Sequence, residues 1–121
     1  MANDYDTTAR NVGVDAIGAL AVRVALHTGD PGAADTADNE VTGGTYARGT
    51  IAWASASSGA AAPTGDVVID VPAGNTITYI SLWNSAGTTR YLKKSVTSEA
   101  FGADGTYTVL ASGTTLDLND A

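Results

Sequence analysis

The stretch from Asp66 to Trp83 constrains the fold most strongly, because its apolar side chains alternate with polar ones in two successive runs. In residues 67–71 every second side chain is valine or isoleucine, and in residues 76–83 large apolar side chains lie on both faces near the end. Such alternation is typical of β-strands, and a run that is apolar on both faces indicates a central strand covered on both sides. Residues 72–75, PAGN, supply a proline that presets φ and a glycine or asparagine that tolerates positive φ. We therefore predict a core β-hairpin of two strands joined by a tight turn.

A helix is predicted ahead of the strands, from Asp4 to Leu20, with Asp6 or Thr7 as its N-cap. Helical spacing places five apolar residues on one stripe, which we expect to face a packing partner: Ala9, Val12, Ala16, Ile17 and Leu20. Two glycines inside the helix each lower its intrinsic stability by roughly 1 kcal/mol relative to alanine. A helix this weak needs to pack against its own sheet or against a neighbouring subunit.

Further strands are predicted at residues 21–27, 46–54, 89–93, 96–101, 106–110 and 115–118. Two breaker-rich loops separate them, a polar one at 28–44 that we expect to be exposed and mobile, and one at 55–65. An Asp-Gly pair at 104–105 predicts a hairpin turn. The predicted fold class is mainly β, a single-domain antiparallel β-sandwich or small barrel of about seven to eight short strands with one N-terminal α-helix. Residues 1–20 would form the helical arm and residues 21–118 the β-sandwich.

The composition argues against several classes of protein. With 13 acidic and 6 basic residues the formal net charge is −7, and an acidic surface repels the phosphates of nucleic acids. The 121 residues include no cysteine, so the chain offers neither a disulfide nor a thiolate nucleophile. Its polar, acidic start predicts no secretion signal, and no stretch has the length and apolarity of a membrane span. We expect one domain that is synthesised in a reducing cytoplasm.

The titratable residues match no catalytic or metal-binding pattern. His27 is the single histidine, and the sequence has no G-x-S-x-G elbow that would supply a nucleophile beside it. We interpret it as a partly exposed turn residue that points outward from its strand. The first long loop carries four carboxylates, Asp30, Asp35, Asp38 and Glu40. Their spacing is not that of an EF-hand, so a solvated loop is favoured over a calcium site. We predict no catalytic residue, no metal site and no cofactor.

The aromatic and basic residues are interpreted as structural. The aromatic side chains that could stack on a sugar are Trp53, Trp83, Tyr46, Tyr79 and Tyr91. Strand periodicity favours the core for both tryptophans and leaves one tyrosine exposed. Arg48 is expected to pair with the acidic loop, and Lys93-Lys94 to lie on a solvated strand edge that blocks strand addition. The glycine motifs at 43–44 and 102–105 lack the lysine and the strand-to-helix context of a phosphate loop.

Six short motifs, in this order along the chain, resemble those of a known family: HTGDPG at 27–32, NEV at 39–41, YAR at 46–48, VPAG at 71–74, ISLW at 80–83 and GTYT at 105–108. The family comprises small virion structural proteins of tailed phages, mostly of actinobacterial hosts. Its members are labelled capsid decoration, minor tail or tail fibre proteins. The resemblance extends from the helix to the closing LDL at 116–118. Each motif alone consists of residues that are common in turns, but the order and spacing of the six are specific to the family.

The resemblance implies a non-enzymatic, multicopy protein of the phage particle. We favour a capsid decoration protein that binds the outside of the head and stabilises it, since the sequence has no repetitive or coiled-coil shaft and an acidic surface suits the capsid exterior. Decoration proteins commonly form trimers, so the expected partners are the major capsid protein and further copies of the chain. The helix or the residues after Leu118 would reach onto the shell or a neighbouring subunit. The alternative is a minor tail or tail-fibre protein that adsorbs to host-surface glycans.

Overall fold

Eight β-strands and one α-helix make up the computed structural model, which describes residues 5–117. The elements are α1 (Thr7–Leu20), β1 (Arg23–His27), β2 (Gly49–Thr50), β3 (Ala60–Ala61), β4 (Val67–Val71), β5 (Asn75–Trp83), β6 (Arg90–Phe101), β7 (Gly105–Val109) and β8 (Leu116–Asp117). Strands β2, β1, β5 and β6 form a four-stranded sheet in that order, while β4 pairs with β7 and β3 with β8. All of these pairs are antiparallel. The fold is the predicted mainly β sandwich with an N-terminal helix, and within the described residues no sheet closes into a barrel.

The two strands of the 66–83 stretch form as predicted, but they do not pair with each other. β4 pairs with β7 in the small sheet, and β5 pairs with β1 and β6 in the large one. Val71 lies opposite Gly105, Asn75 lies opposite Phe101, and three residues separate these pairs on each arm. The unit is therefore one long hairpin, β4–β5 against β6–β7, folded over at its middle so that its halves belong to different sheets.

Hydrogen bonds join the two corners of this folded hairpin. The amide of Gly74 donates to the carbonyl of Phe101 over 2.7 Å, and the amide of Ala73 donates to the carboxylate of Asp104 over 2.8 Å. Gly74 has a φ of +89°, which glycine adopts without strain. The PAGN and Asp-Gly signals thus mark real turns, but both turns cross between sheets. The hairpin tip is the turn that follows β5, where the amide of Asn84 donates to the carbonyl of Thr89 over 3.0 Å.

The predicted strand at 46–54 is wrong over most of its length. Only the two residues of β2 pair with β1, and a separate bridge joins Trp53 to Pro63. The predicted loop at 55–65 contains β3, which pairs with β8. Short alanine-rich segments of this kind carry no alternation of apolar and polar residues, so the sequence pattern gave no sign of a strand there.

The predictions for the C-terminal half are closer to the structure. The two strands predicted at 89–93 and 96–101 are one continuous strand, β6. Those predicted at 106–110 and 115–118 correspond to β7 and β8. Leu118, the predicted end of the last strand, lies outside the described residues.

β5 lies at the centre of the core, as its apolar pattern predicted. Four of its apolar side chains are at most 3% exposed: Ile77, Ile80, Leu82 and Trp83. The odd-numbered residues of β4 face the same core, and Val68 and Asp70 between them are exposed. Side chains of the four-stranded sheet, the β4–β7 sheet and α1 join one apolar cluster. The core therefore holds the two halves of the folded hairpin together.

The helix packs on the sheets through a different face from the one predicted. Val14 is its fully buried side chain and Ile17 is half-buried. The other four residues of the predicted stripe are exposed: Ala9, Val12, Ala16 and Leu20. Asp6 takes the N-cap position, but its side chain makes no capping hydrogen bond. In the described part of the chain, no helix has the length and apolar character needed to cross a membrane.

Polar contacts and one glycine explain which face of the helix turns inward. The side chain of Asn11 accepts a hydrogen bond from the amide of Gly59, and that of Asp15 accepts one from the amide of Ala56, each over 2.8 Å. At Gly18 the helix lies against Trp53 so closely that an added Cβ would be 3.3 Å from the tryptophan Cβ. The two polar contacts hold this face inward, because each satisfies a backbone amide of the segment between β2 and β4.

Candidate functional site

His27 is fully buried, and the prediction of a partly exposed turn histidine is wrong. Its Nε2 lies 2.7 Å from the hydroxyl oxygen of Ser81 on β5, and its Nδ1 lies 2.9 Å from the carbonyl oxygen of Asp38. The residue ends β1, and the returning loop forms a bridge to it at Glu40. Strand alternation failed here because this loop covers the side that the pattern left to solvent.

The hydrogen bonds around His27 assign a neutral imidazole with its proton on Nδ1. The indole Nε1 of Trp83 donates to the hydroxyl oxygen of Ser81 over 2.7 Å, so the Ser81 hydroxyl donates its own proton to His27. Nδ1 then donates to the carbonyl of Asp38. Burial lowers the pKa of His27, which favours the neutral form. A serine beside a histidine has the composition of a nucleophile and its base, but neither side chain is exposed to a substrate.

Glu40 and Arg48 form a two-point ion pair next to this histidine. Nε and Nη2 of Arg48 each lie 2.9 Å from an oxygen of the Glu40 carboxylate. The hydroxyl of Tyr46 donates to the same carboxylate over 2.7 Å and accepts from the amide of Leu26 over 3.1 Å. The guanidinium of Arg48 also lies 4.3 Å from the ring centre of Trp83. The expected pairing of Arg48 with the acidic loop is therefore confirmed.

The charges of this cluster reinforce one another. Burial would raise the pKa of Glu40, but hydrogen bonds from Arg48 and Tyr46 hold that pKa below its usual value. The hydrogen bond to Glu40 raises the pKa of Arg48. Burial, with the neighbouring carboxylate, also raises the pKa of Tyr46. Glu40 and Arg48 therefore stay charged and Tyr46 stays neutral around pH 7, which is the state of a structural clamp.

The 28–44 loop is tied to β6, which argues against the predicted mobility. The guanidinium of Arg90 donates to the carbonyls of Thr36 and Gly32 over 2.6 and 2.9 Å. The amide of Arg90 donates to the carboxylate of Asp35 over 2.8 Å. Five anchoring points, counting those at His27 and Glu40, fix the loop on the large sheet.

The carboxylates of Asp30, Asp35 and Glu40, three of the four in the loop, each bind a different residue. Asp30 forms an ion pair of 2.8 Å with Lys93, which lowers the pKa of Asp30. The carboxylate of Asp35 accepts a hydrogen bond from the backbone amide of Arg90, and that of Glu40 accepts from the guanidinium of Arg48. The backbone carbonyl of Asp38 accepts from Nδ1 of His27. Within residues 5–117, no three metal-ligating side chains gather in a group. Lys93-Lys94 does lie on an edge strand, since β6 is the outermost strand of its sheet.

The aromatic residues proposed as a sugar-stacking platform are divided over the protein. Trp83 is buried and Trp53 half-buried, and the indole of Trp53 donates to the carbonyl of Ala21 over 2.9 Å. The three tyrosines of that set are half-buried. The exposed tyrosine is Tyr5, at 64%, which the strand-based reasoning did not consider.

A groove of about 550 Å³ lies between β6 and β7. Its charged and phenolic side chains are Lys94, Glu99 and Tyr107. Burial and the charge of Glu99 raise the pKa of Tyr107, so the phenol stays neutral. His27 does not line this groove.

The glycine motif at 102–105 forms the second corner of the folded hairpin, and Gly43 and Gly44 form a turn with φ of +90° and +56°.

Exposed apolar side chains are concentrated at the N-terminal helix. Among the described residues, five large apolar side chains are at least half exposed: Tyr5, Val12, Leu20, Val68 and Leu110. Three of the five lie between residues 5 and 20. Two of these three, Val12 and Leu20, lie on the side of α1 that faces away from the sheets. The outward side of α1 is therefore the candidate interaction surface.

Comparison with known proteins gives a match to one family over nearly the whole chain. The family model described as podophage GP4 fiber I protein gp80 matches residues 6–117. No curated protein and no solved structure matches the chain. The family match confirms the relationship to phage virion proteins that the six motifs indicated. The chain belongs to the podophage GP4 fiber I protein gp80 family, a family of phage virion structural proteins.

Proposed function

We propose that the protein is a subunit of a fibre on the particle of a tailed phage, with a structural role. The observation that carries the proposal is the family match, which covers every described residue except Tyr5. The description of this family names a fiber protein. Because the match includes the helix and all eight strands, it concerns the whole fold and not a single motif.

The interior of the protein supports a structural role. The histidine–serine pair is closed to solvent, and the Glu40–Arg48 clamp and Arg90 fasten the longest loop to the large sheet. A particle component must keep its shape without a bound ligand. Loops that are hydrogen-bonded to strands meet that need better than loops that order on binding.

Gold-conjugated antibody against the chain, applied to intact virions, tests the location. A fibre subunit predicts gold confined to the fibres seen by electron microscopy. Particles from a phage that lacks the gene provide the control and should show neither the gold nor those fibres. Gold spread evenly over the head surface would contradict the fibre proposal.

The second candidate is the capsid decoration protein predicted from the sequence. One observation favours it: the net charge of −7, which suits a solvent-facing capsid exterior. In this case the partners are the major capsid protein and further copies of the chain, as a trimer. Even labelling of the head would support this candidate, and heads without the protein should then release DNA at a lower temperature.

A fibre subunit could also contact glycans of the host surface. Purified protein on an array of host cell-wall glycans tests this role, with Tyr91→Ala as the variant. Tyr46→Ala is unsuitable, because Tyr46 bridges Glu40 and the amide of Leu26 and its loss would disturb the fold. Absence of binding would restrict the fibre subunit to a purely structural role.

A further inference from the structure

The groove between β6 and β7 runs along the edges of these two strands. Every residue from 94 to 99 lines it on the β6 side, and every residue from 107 to 110 lines it on the other. Successive side chains of a strand point to opposite faces, so a groove on the face of a sheet is lined by every second residue. Lining by consecutive residues instead indicates strand edges, which present backbone N–H and C=O groups.

Neither edge has a strand beside it in the part of the chain that the structure describes. β6 is the outermost strand of the large sheet, and β7 pairs with β4 alone. Between residues 95–99 and residues 106–109 there is no hydrogen bond in this part of the chain. The ladder from β6 to β5 is also irregular here, since residues 96–98 lie opposite the single residue Thr78. The groove is therefore bordered by two rows of backbone groups that a further strand would satisfy.

Charged side chains protect the edge of β6 at only one end of the groove. Lysine on an edge strand commonly hinders the addition of another strand. Lys93 binds the carboxylate of Asp30 over 2.8 Å, and Lys94 lies 3.5 Å from the carbonyl oxygen of Gly113. The four residues that follow, SVTS at 95–98, include no charge and no proline, and two of them are β-branched. This part of the edge is open to pairing.

We propose that an extended peptide segment of another protein binds in the groove as an added β-strand along the free edge of β6, with β7 as the opposite wall. Such a segment supplies the alternating N–H and C=O groups that a strand edge requires. The six residues 94–99 span about 17 Å at about 3.3 Å per residue, which suits a segment of about six residues.

The side chains of the groove define the chemistry of the segment. Ile80 and Val109, each 3% exposed, contribute the apolar floor, so every second residue of the segment should be apolar. Lys94 and Glu99 lie towards opposite ends. A segment antiparallel to β6 would therefore begin with a basic residue opposite Glu99 and end with an acidic residue opposite Lys94.

A second copy of the chain fits the groove less well than a segment of another protein. Between its own two charged residues β6 has a single apolar residue, Val96, where the floor calls for alternation. Two copies also repel each other, because each carries a net charge of −7. The inference does not depend on where the protein sits on the particle. Imaging of virions tests the location, and the purified chain tests the groove, so either can fail alone.

The experiment titrates the isotope-labelled full chain with three synthetic peptides and follows its backbone amides by NMR. The first peptide, Lys-Thr-Val-Thr-Val-Glu with blocked ends, matches the groove when it lies antiparallel to β6. The second has the same composition in reverse order, and the third is the first peptide with its four central nitrogens methylated. The first peptide should shift the amides of residues 95–99 and 107–109. It should bind at least about tenfold more tightly than the methylated peptide, which cannot donate from its central residues.

Two variants test the charges at the ends of the groove. The reversed peptide should bind wild type a few-fold more weakly than the first, and Glu99→Gln should remove most of that difference. Lys93→Gln is the matched control, because Lys93 lies on the same strand outside the groove and pairs with Asp30. This control should bind the first peptide as wild type does.

The proposal is overturned if the first peptide leaves the amides of residues 95–99 unshifted at millimolar concentration, or if the methylated peptide binds as tightly. Shifts confined to another surface, or equal effects of Glu99→Gln and Lys93→Gln, would also overturn it. Shifts of residues 95–99 that depend on protein concentration without any peptide would assign the edge to a second copy, contrary to the proposed partner.

Discussion

The Nε2 atom of His27 lies 2.7 Å from the hydroxyl oxygen of Ser81, in a part of the large sheet where neither side chain is exposed. The contact belongs to a chain of hydrogen bonds that runs from the indole of Trp83 through Ser81 and His27 to the carbonyl of Asp38. The link in which the Ser81 hydroxyl donates to Nε2 needs a neutral imidazole. A second proton on Nε2 would face the Ser81 hydroxyl, whose own proton would then lose its acceptor.

Stability should fall as the pH drops below about 6.5, the ordinary pKa of histidine. Burial lowers the pKa of folded His27; the charges of Arg48 and Arg90 act in the same direction and that of Glu40 opposes them. The unfolded chain therefore takes up a proton near pH 6.5 that the folded chain does not. Above that pH the free energy of unfolding should keep the whole contribution of neutral His27. Below it, the free energy of unfolding should fall by up to about 1.4 kcal/mol per pH unit until the pKa of folded His27 is reached. Urea unfolding between about pH 7.5 and 5.5 measures the slope.

The control for this prediction is His27→Gln. Since His27 is the single histidine, the variant should be less stable than wild type and nearly insensitive to pH in the same range. Equal pH slopes in wild type and variant would assign the effect to other groups.

Glu40→Gln should lower the free energy of unfolding by about 2 kcal/mol. The substitution keeps the shape of the side chain but leaves the guanidinium of Arg48 without its counter-charge. The two side chains are 18% and 23% exposed, so solvent reduces the loss below that of a fully buried pair. Urea unfolding at pH 7 gives the value.

Asp30→Asn is the matched comparison, because it removes the carboxylate of the other ion pair. Its partner Lys93 is 40% exposed and Asp30 57%, and exposed pairs contribute little to stability. We expect no measurable change in the unfolding midpoint. A loss as large as that of Glu40→Gln would contradict the view that the less exposed Glu40–Arg48 pair, and not surface charge, holds the 28–44 loop.

Local alternation predicted the strands of the folded hairpin, but it could not predict their partners. The odd-numbered face of β4 and the doubly buried end of β5 are properties of each strand, and the structure has both. Which strand lies beside which depends on the corner at 72–74 and on the one at 102–104 bending together. The contact between Ala73 and Asp104 is made over 31 positions of sequence, which no local pattern encodes.

The candidate sites were missed for a related reason. His27 has the alternation of an outward residue, and only the return of the loop at 38–40 buries it. The apolar stripe of α1 is present, but the sequence prediction places it against the core, because apolar stripes of surface helices usually face inward. Asn11 and Asp15 reverse the helix by satisfying distant amides. The prediction that a weak helix packs against its own sheet or a neighbouring subunit allowed for this arrangement.

Gly49→Ala should lower the free energy of unfolding by about 1–3 kcal/mol, because added bulk in a packed core forces side chains or backbone to move. A Cβ at Gly49 would collide with Val67 and lie 3.0 Å from Cγ1 of Ile69, on the facing β4. The matched control is Gly65→Ala, where nothing lies within 4 Å of the added Cβ. That variant should be unchanged or more stable by about 0.4–1 kcal/mol, through a less flexible unfolded chain. Equal effects of the two substitutions in thermal or urea unfolding would show that β2 does not pack on β4 as described.

Asn11→Ala should loosen the attachment of α1 to the sheets. The variant leaves the buried amide of Gly59 without an acceptor, which costs about 1–3 kcal/mol. Hydrogen exchange of the α1 amides should become faster, while that of β5 changes little, since the helix can detach without opening the large sheet. Thr8→Ala, on the exposed side of the same helix, serves as the control and should leave both rates unchanged. If Asn11→Ala accelerated exchange equally in α1 and β5, the helix would be an inseparable part of the core. If Thr8→Ala accelerated α1 alone, the outward side would hold the helix in place, contrary to the contacts of Asn11 and Asp15.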